Sequence, residues 1–385
     1  MSLVTVVGPV STGGFVPHPL DEFPIHQAPL SISHVVSSDP NAYDRYYFNA
    51  HGRNGDPFAL FGLGIYPNLG VIDAYVTVRT GDRQITVRAS DALEDSTDRM
   101  APAVGPFRME IIEPLKRIRM ICDGDDHGVG FDLTWEGSFP AVDEAPHVWR
   151  SGQRILLDAQ RFAQVGTWEG ELRVDGVTHA VDPGTWLGTR DRSWGIRPVG
   201  EPDAPGRASA EPIEGFWWNY VPLRFDDFMI MVIVQEDPDG HRVLNDALRV
   251  WPAESGKRPE QLGWPRIDVH YKSGTRHPEG ATIHLTEPDG TPLTIEVETR
   301  GFVALNAGTG YGGSWSHGSW QGRDWVEGVD IDITEPEVAS MIPFGLLDHV
   351  AYAKIGDQEG WGLFELGTFG RHDPSGFADY GSVAP

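Results

Sequence analysis

The chain has 385 residues, 40% of them hydrophobic, enough to bury a sizeable core and to divide into two or three domains. Acidic residues outnumber basic ones by 56 to 30, and the net charge of -26 opposes the phosphate attraction on which binding to nucleic acid and anionic membranes depends. A single cysteine, Cys122, excludes an internal disulfide, the start Met1-Ser-Leu-Val-Thr-Val-Val-Gly lacks a secretory pattern, and no apolar run approaches the roughly twenty residues of a bilayer span, so the chain reads as cytoplasmic with no integral membrane segment.

In chain order, a short helix is expected near residues 41–47. Short alternating or apolar runs at residues 74–79, 84–88, 117–122, 130–135 and 170–174 predict strands. Further strands are predicted at 228–234, the longest apolar run, and at 266–271, 281–285 and 293–297. The connections Thr80-Gly81-Asp82, Asp123-Gly124-Asp125, Asp175-Gly176, Pro238-Asp239-Gly240 and Pro288-Asp289-Gly290 supply the positive φ that hairpins need. A second short helix is expected over 335–344. The fold class is therefore all-β, built from antiparallel strands with few short helices.

A weak internal repeat organises these elements. Residues 115–133 and 349–366 each contain an apolar strand, an acidic turn, a Gly-x-Gly opening and a carboxylate, Asp132 or Glu365, between large apolar residues. If the halves are duplicated, each is a β-barrel or sandwich, with residues 1–183 forming the first and 184–385 the second. A carboxylate in such a strand either faces solvent or points into a barrel lumen, where desolvation raises its pKa and makes it a proton donor.

The chemistry concentrates in Gly188-Thr-Arg-Asp-Arg-Ser-Trp-Gly-Ile-Arg197 and Gly215-Phe-Trp-Trp-Asn-Tyr220, a mixture that a packed core avoids and a ligand pocket favours. Asp191-Arg-Ser-Trp194-Gly195, then Trp217-Trp-Asn-Tyr, then Asp227-Phe-Met-Ile-Met231 resembles the carotenoid 1,2-hydratase-like and AttH-like superfamily. Arg45-Tyr-Tyr-Phe-Asn49, Gly64-Ile-Tyr-Pro-Asn68, the stretch from Gly128 to Trp135, and Arg161-Phe-Ala-Gln-Val-Gly166 resemble its uncharacterised two-domain branch, so that the resemblance covers most of residues 40–370. It implies two tandem lipocalin-like β-barrels packed together with a hydrophobic ligand cavity, and the chemistry is expected inside a barrel. The activities it implies range from hydration of an isoprenoid double bond to pericyclic reactions.

Protonating an alkene needs a strong acid beside a carbocation that aromatic rings stabilise, by on the order of 2 kcal/mol per cation–π contact when desolvated. Asp191, Tyr220, Asp246 and Glu365 are the candidate catalytic residues; Asp246 falls roughly where the resemblance places a later carboxylate. Trp194, Arg197, Trp217, Trp218, Tyr311, Trp315, His317 and His349 are candidates for contacting the substrate, although the match lacks the family's cavity histidine. Asp191 also has a structural reading, as an ion-pair network with Arg190, Arg192 and Arg197, and Trp186 and Trp194 have one as plugs at a barrel end.

Gly308-Thr-Gly-Tyr-Gly-Gly313 spells a dinucleotide loop, but the Trp-rich sequence after it cannot open the helix that such a loop requires. It reads as a rim of the cavity or an exposed barrel-edge loop, and no cofactor is expected. Fourteen histidines show no metal-ligand spacing, so no metal is expected. Asp226-Asp227 reads as a solvated turn, Asp348-His349 as a candidate proton shuttle, and Cys122 as inert core. The expected function is cofactor-independent hydration, dehydration or isomerisation of a hydrophobic isoprenoid, steroid or polyketide-like molecule. The alternatives are a lipocalin-like carrier and a shape-directed pericyclase, and a homodimer is the default expectation.

Overall fold

The computed structural model describes residues 22, 24–151, 153–199, 214–312 and 315–385. The N-terminal segment considered for secretion and the final glycine of the Gly308 loop lie outside the described residues. The chain is nearly all antiparallel strand, arranged in two large curled sheets. Among the described residues, no helix is long and apolar enough to cross a membrane.

The first sheet runs through Trp325–Asp332, Arg83–Ala92, Val71–Thr80, Phe58–Tyr66, Ala42–His51, Leu187–Ile196, Arg154–Val174, Val129–Gly137, Arg117–Cys122, Phe107–Glu113 and Ala103–Val104. The second runs through Glu260–Gln261, Arg242–Val250, Met229–Glu236, Gly215–Arg224, Gln358–Gly370, Leu347–Ile355, Pro292–Ala304, Pro278–Thr286 and Arg266–Tyr271. Each curls around an interior of its own, which gives the two lipocalin-like barrels. Phe48, Phe61, Phe131, Trp135 and Trp168 fill the first interior, and Val221, Ile230, Val232, Ile283 and Phe364 fill the second. A third core, including Phe58, Leu60, Val165, Met231 and Leu363, lies between the sheets and draws on both.

Three cores require the central strands to bury both faces, and they do: Phe58–Tyr66 and Met229–Glu236 are buried at every position. Alternation then assigns each residue to a barrel interior or to the intersheet layer. The Asp175-Gly176 hairpin shows how sequence sets the turns, with φ of 52° and 79° at its two residues, the positive pair that a two-residue connection needs.

One expectation is corrected. Residues 41–47 form no helix, because Tyr43, Arg45 and Tyr47 alternate with Tyr46 and Phe48 across the strand Ala42–His51, and aromatic residues packed on both faces favour a strand. The first sheet draws strands from distant parts of the chain. Leu187–Ile196 pairs with both Ala42–His51 and Arg154–Val174, and Trp325–Asp332 returns from the second half to pair with Arg83–Ala92. The helix expected at 335–344 is present as Pro336–Met341 followed by a 3-10 turn, Ile342–Phe344.

Candidate functional site

A cavity of about 430 Å³ lies between the sheets, within the size range of small-molecule sites. The expectation of a cavity inside one barrel is thereby corrected, since both interiors are filled by side chains. Tyr43, Arg45 and Tyr47 line it from one strand, Asp191 and Ser193 from the next, and Phe216, Trp218 and Tyr220 from the facing sheet. Glu365 and Phe369 complete that wall, and the Leu305–Tyr311 loop and Phe344–Leu346 close one side.

On the wall formed by the second sheet, two carboxyls oppose one another. Asp348 and Glu365 are direct cross-strand partners in the final hairpin and lie in hydrogen-bonding contact. Asp348 is fully buried and accepts a hydrogen bond from the Tyr47 hydroxyl at 2.5 Å, while Glu365 reaches the cavity and accepts one from the Trp218 indole. Burial, then the neighbouring Glu365, pushes Asp348 well above the usual carboxylate range. Burial also raises Glu365, against hydrogen bonds from Asp348 and Trp218 that hold it down. Asp348 Oδ1 is buried with no donor of its own, an orphan that a proton carried by the pair would satisfy. Such a pair titrates as a unit.

The opposite wall is cationic. Arg161 Nε lies 2.9 Å from Glu144 Oε2, and burial pushes Glu144 up to about 7 against the pull of that guanidinium. Arg161 also faces Trp218, 5.3 Å from the ring centre, and its Nη2 lies 3.4 Å from His147 Nδ1. His147 lies parallel to Trp218, with ring centres 5.7 Å apart, and its Nε2 meets Gln235 Oε1 at 2.5 Å. Burial and then Arg161 bring His147 down to about 3, so this imidazole is a neutral donor to Gln235 near neutrality. Asp191 is raised by burial and held down by Arg161, Arg45 and Arg197.

Asp191, Tyr220, Glu365, Arg197, Trp218 and Tyr311 are brought together here; the other candidates fall elsewhere. Trp217 points into the second barrel, where its indole donates to the Tyr271 hydroxyl at 3.3 Å, because adjacent strand residues take opposite faces. Trp194 shares the face of Arg192, 5.7 Å from that guanidinium, and does not line the cavity. Asp246 ties the sheets together by accepting the Ala145 backbone N–H at 3.1 Å. Trp315 and His317 are buried beneath Tyr311. His349 faces away from its neighbour Asp348 and meets His277 Nε2 at 3.0 Å, so the pair Asp348-His349 is no shuttle.

The ion-pair network proposed around Asp191 is also not built as expected. Arg190 donates to Gln164 Oε1 at 2.7 Å, and Arg192 pairs with Asp44 at 2.9 Å, both on the face opposite Asp191. Trp186 packs into the first core. The cavity residues His147 and Tyr47, and Glu144 behind Arg161, were not singled out by sequence, and Asp348 was singled out only with His349, although Arg45 and Arg161 stand in the motifs that carry the family resemblance.

The repeat places its two carboxylates in opposite environments. Asp132 pairs with Arg119 at 2.7 Å on the surface, with the two side chains 45% and 38% exposed, whereas Glu365 faces the cavity. Asp132→Asn is therefore expected to change unfolding free energy by less than about 1 kcal/mol, measured by urea denaturation. Asp348 gives a pH-dependent contrast. Its folded pKa lies above its unfolded value, so its contribution is fully present at acid pH and is lost as pH rises from about 4 through the folded value. Asp348→Asn should accordingly raise the urea midpoint at pH 8 relative to wild type and leave it nearly unchanged at pH 4.

Asp226 and Asp227 form the exposed turn expected of them. The residues after Gly312 supply a two-residue strand, Trp315–Ser316, and no helix. Among the described residues, Asp237, Asp239 and His241 bring potential ligand atoms within 4.8 Å of one another. Asp237 is engaged by His241 and backbone N–H groups of its own turn, and Asp239 by Arg371, so the cluster is accounted for as a hydrogen-bonded turn.

The fold is similar to several solved structures. A protein described as a putative AttH, from Nitrosomonas europaea, has a TM-score of 0.54 at 12% identity, covering 94% of this chain and 99% of its own. CghA with Sch210972 has a TM-score of 0.50 at 12% identity over 86% and 89%. Kievitone hydratase from Nectria haematococca has a TM-score of 0.48 at 13% identity over 84% and 88%. At these identities the likeness is one of fold, and it agrees with the barrels expected from the AttH-like resemblance. No curated protein matches the sequence. The model of a family of unknown function, DUF8625, matches residues 18–378, and the chain belongs to that family.

Proposed function

We propose that this protein is an enzyme that adds water to, removes water from, or isomerises a hydrophobic small molecule held between its two barrels, using the Asp348–Glu365 pair as the acid. The observation that carries this reading is a cavity-facing carboxyl, Glu365, backed by a second and fully buried one. A carrier needs an apolar cavity but has no use for a desolvated carboxyl pair, which costs stability at neutral pH.

In the hydration direction the pair starts with both carboxyls protonated, and the Glu365 O–H bond breaks as a C–H bond forms on the substrate double bond, leaving the second proton on Asp348. The resulting carboxylate is held by the Trp218 indole N–H and by the proton on Asp348. The rings of Trp218 and Tyr220 flank the cationic carbon. Water then forms a C–O bond to that carbon and returns a proton to Glu365, so the carboxyl is regenerated and the net change is one water. Dehydration is the reverse, and transfer of a proton from a carbon next to the cationic one back to Glu365 would shift the double bond and give isomerisation. Asp191 keeps Arg161 oriented across the cavity and is assigned a positioning role.

The test begins with ligand extracted from the purified protein and identified by mass spectrometry. Incubation with wild type should yield a product shifted by the mass of water, or an isomer separable by chromatography, and Glu365→Gln should return the ligand unchanged. Unchanged ligand from both proteins would sink the enzymatic reading and leave a carrier.

A further inference from the structure

The cavity is positively biased within a chain whose net charge is -26. Three guanidinium groups line it, Arg45, Arg161 and Arg197, against the carboxylates Asp191 and Glu365. Arg161 has its own partner in Glu144, and Glu365 is engaged by Trp218 and Asp348. Asp191 is attracted first by Arg161 and then by Arg45 and Arg197, so one carboxylate is shared among three cations. Among the described residues, neither the Arg45 nor the Arg197 guanidinium makes a hydrogen bond or an ion pair of its own with a protein group. Their contacts are with rings: Arg45 lies 5.7 Å from the centre of Tyr311, and Arg197 lies 5.6 Å from Tyr43 and 5.8 Å from Tyr311.

Arg45 is only 6% exposed, so water does not solvate it as it would a surface arginine. Buried guanidinium groups are ordinarily paired. The one buried carboxylate on its other side, Asp73, is already engaged by the Tyr66 hydroxyl at 3.2 Å, the Gly318 N–H at 2.7 Å and the nearby His317. A guanidinium set over a phenol ring keeps its N–H edge available for a planar anion. Two such edges converge on one cavity, with Tyr311 shared between them.

We infer that Arg45 and Arg197 form a receptor for a single carboxylate on an otherwise apolar substrate. This inference rests on the cavity being the substrate site, and it narrows the substrate class from hydrophobic molecules in general to hydrophobic acids. The acid group would be anchored on the first-sheet wall, and the apolar body would extend toward Trp218, Tyr220 and Glu365. Anchoring one end fixes which carbon meets Glu365, which is how a proton donor gains regiospecificity in a cavity with few other polar contacts.

The probes are cis-parinaric acid and its methyl ester, which share one fluorescent polyene and differ in the anion. Titration by fluorescence enhancement should show wild type binding the acid at least about tenfold more tightly than the ester. The protein's net negative charge opposes adsorption of an anion elsewhere. Arg45→Gln and Arg197→Gln should each reduce this preference to less than about threefold while retaining ester binding, and Glu365→Gln should keep the preference. Arg197 is the less buried of the two, so its variant decides the matter if Arg45→Gln does not fold. Equal affinity for acid and ester in wild type, or a preference surviving in Arg197→Gln, would overturn the carboxylate receptor while leaving the cavity intact. A preference lost in Glu365→Gln would place the anion at the carboxyl pair and overturn it as well. Failure of both probes to bind wild type would remove the hydrophobic cavity on which both readings stand.

Discussion

Glu365→Gln is expected to lower turnover of the substrate by about 10²–10⁴-fold, the usual contribution of a positioned general acid, with little change in affinity for the ligand. Glutamine keeps the volume of the side chain and an oxygen able to accept the Trp218 N–H, so the wall should stay in place while the transferable proton is lost. The measurement is kcat and KM on the extracted ligand, with the wild-type pH profile alongside. Because an acid must be protonated to act, the wild-type rate should fall as pH rises through the titration of the pair, and the residual rate of Glu365→Gln should lack that limb. Asp191→Asn provides the comparison. Its effect should appear through the placement of Arg161, chiefly in KM, and a loss of kcat as large as that of Glu365→Gln would move the acid to Asp191.

Arg161→Met is expected to reduce unfolding free energy by about 3–5 kcal/mol at pH 8, the range found when one partner of a buried ion pair is removed. The Arg161 side chain is 16% exposed and that of Glu144 1%, and the same guanidinium is the strongest attraction holding down Asp191. Methionine fills much of the volume, so the loss should come from charge left without its partner. The sign with pH follows from Glu144, whose folded value near 7 lies above its ordinary 4.5. Its contribution is fully present below about 4.5 and is lost as pH rises toward 7 in wild type. Without Arg161 that folded value rises further. The deficit of the variant should therefore be larger at pH 8 than at pH 5 in urea denaturation, where equal deficits at both pH values would refute the assignment. The Glu144→Gln/Arg161→Met double variant should recover part of the loss.

Much of the architecture was legible in the sequence. Alternation located strands such as Arg117–Cys122 and Arg266–Tyr271 at the boundaries they adopt, and glycines 81, 176, 240 and 290 occupy positive φ at the turns where they were expected. The Asp191 and Trp217-Trp218 motifs supply Asp191 and Trp218 to the lining of the intersheet cavity. Alternation could not say which barrel or interface each face meets, because strands buried on both sides look equally apolar in either direction. Ala42–His51 was lost to a helix for this reason, and Trp217 and His349 were placed in the cavity although they lie within the second barrel. Sequence by itself determined the strands, their turns, the acidic net charge and the residue types available for catalysis. Tertiary structure alone decided that the cavity lies between the barrels, that Asp348 stands beside Glu365 while Asp132 faces solvent, and that the Arg45 and Arg197 guanidinium groups make no hydrogen bond or ion pair among the described residues. These are consequences of strand register and sheet packing, which join residues hundreds of positions apart, as Tyr47 meets Asp348, and no local pattern encodes them.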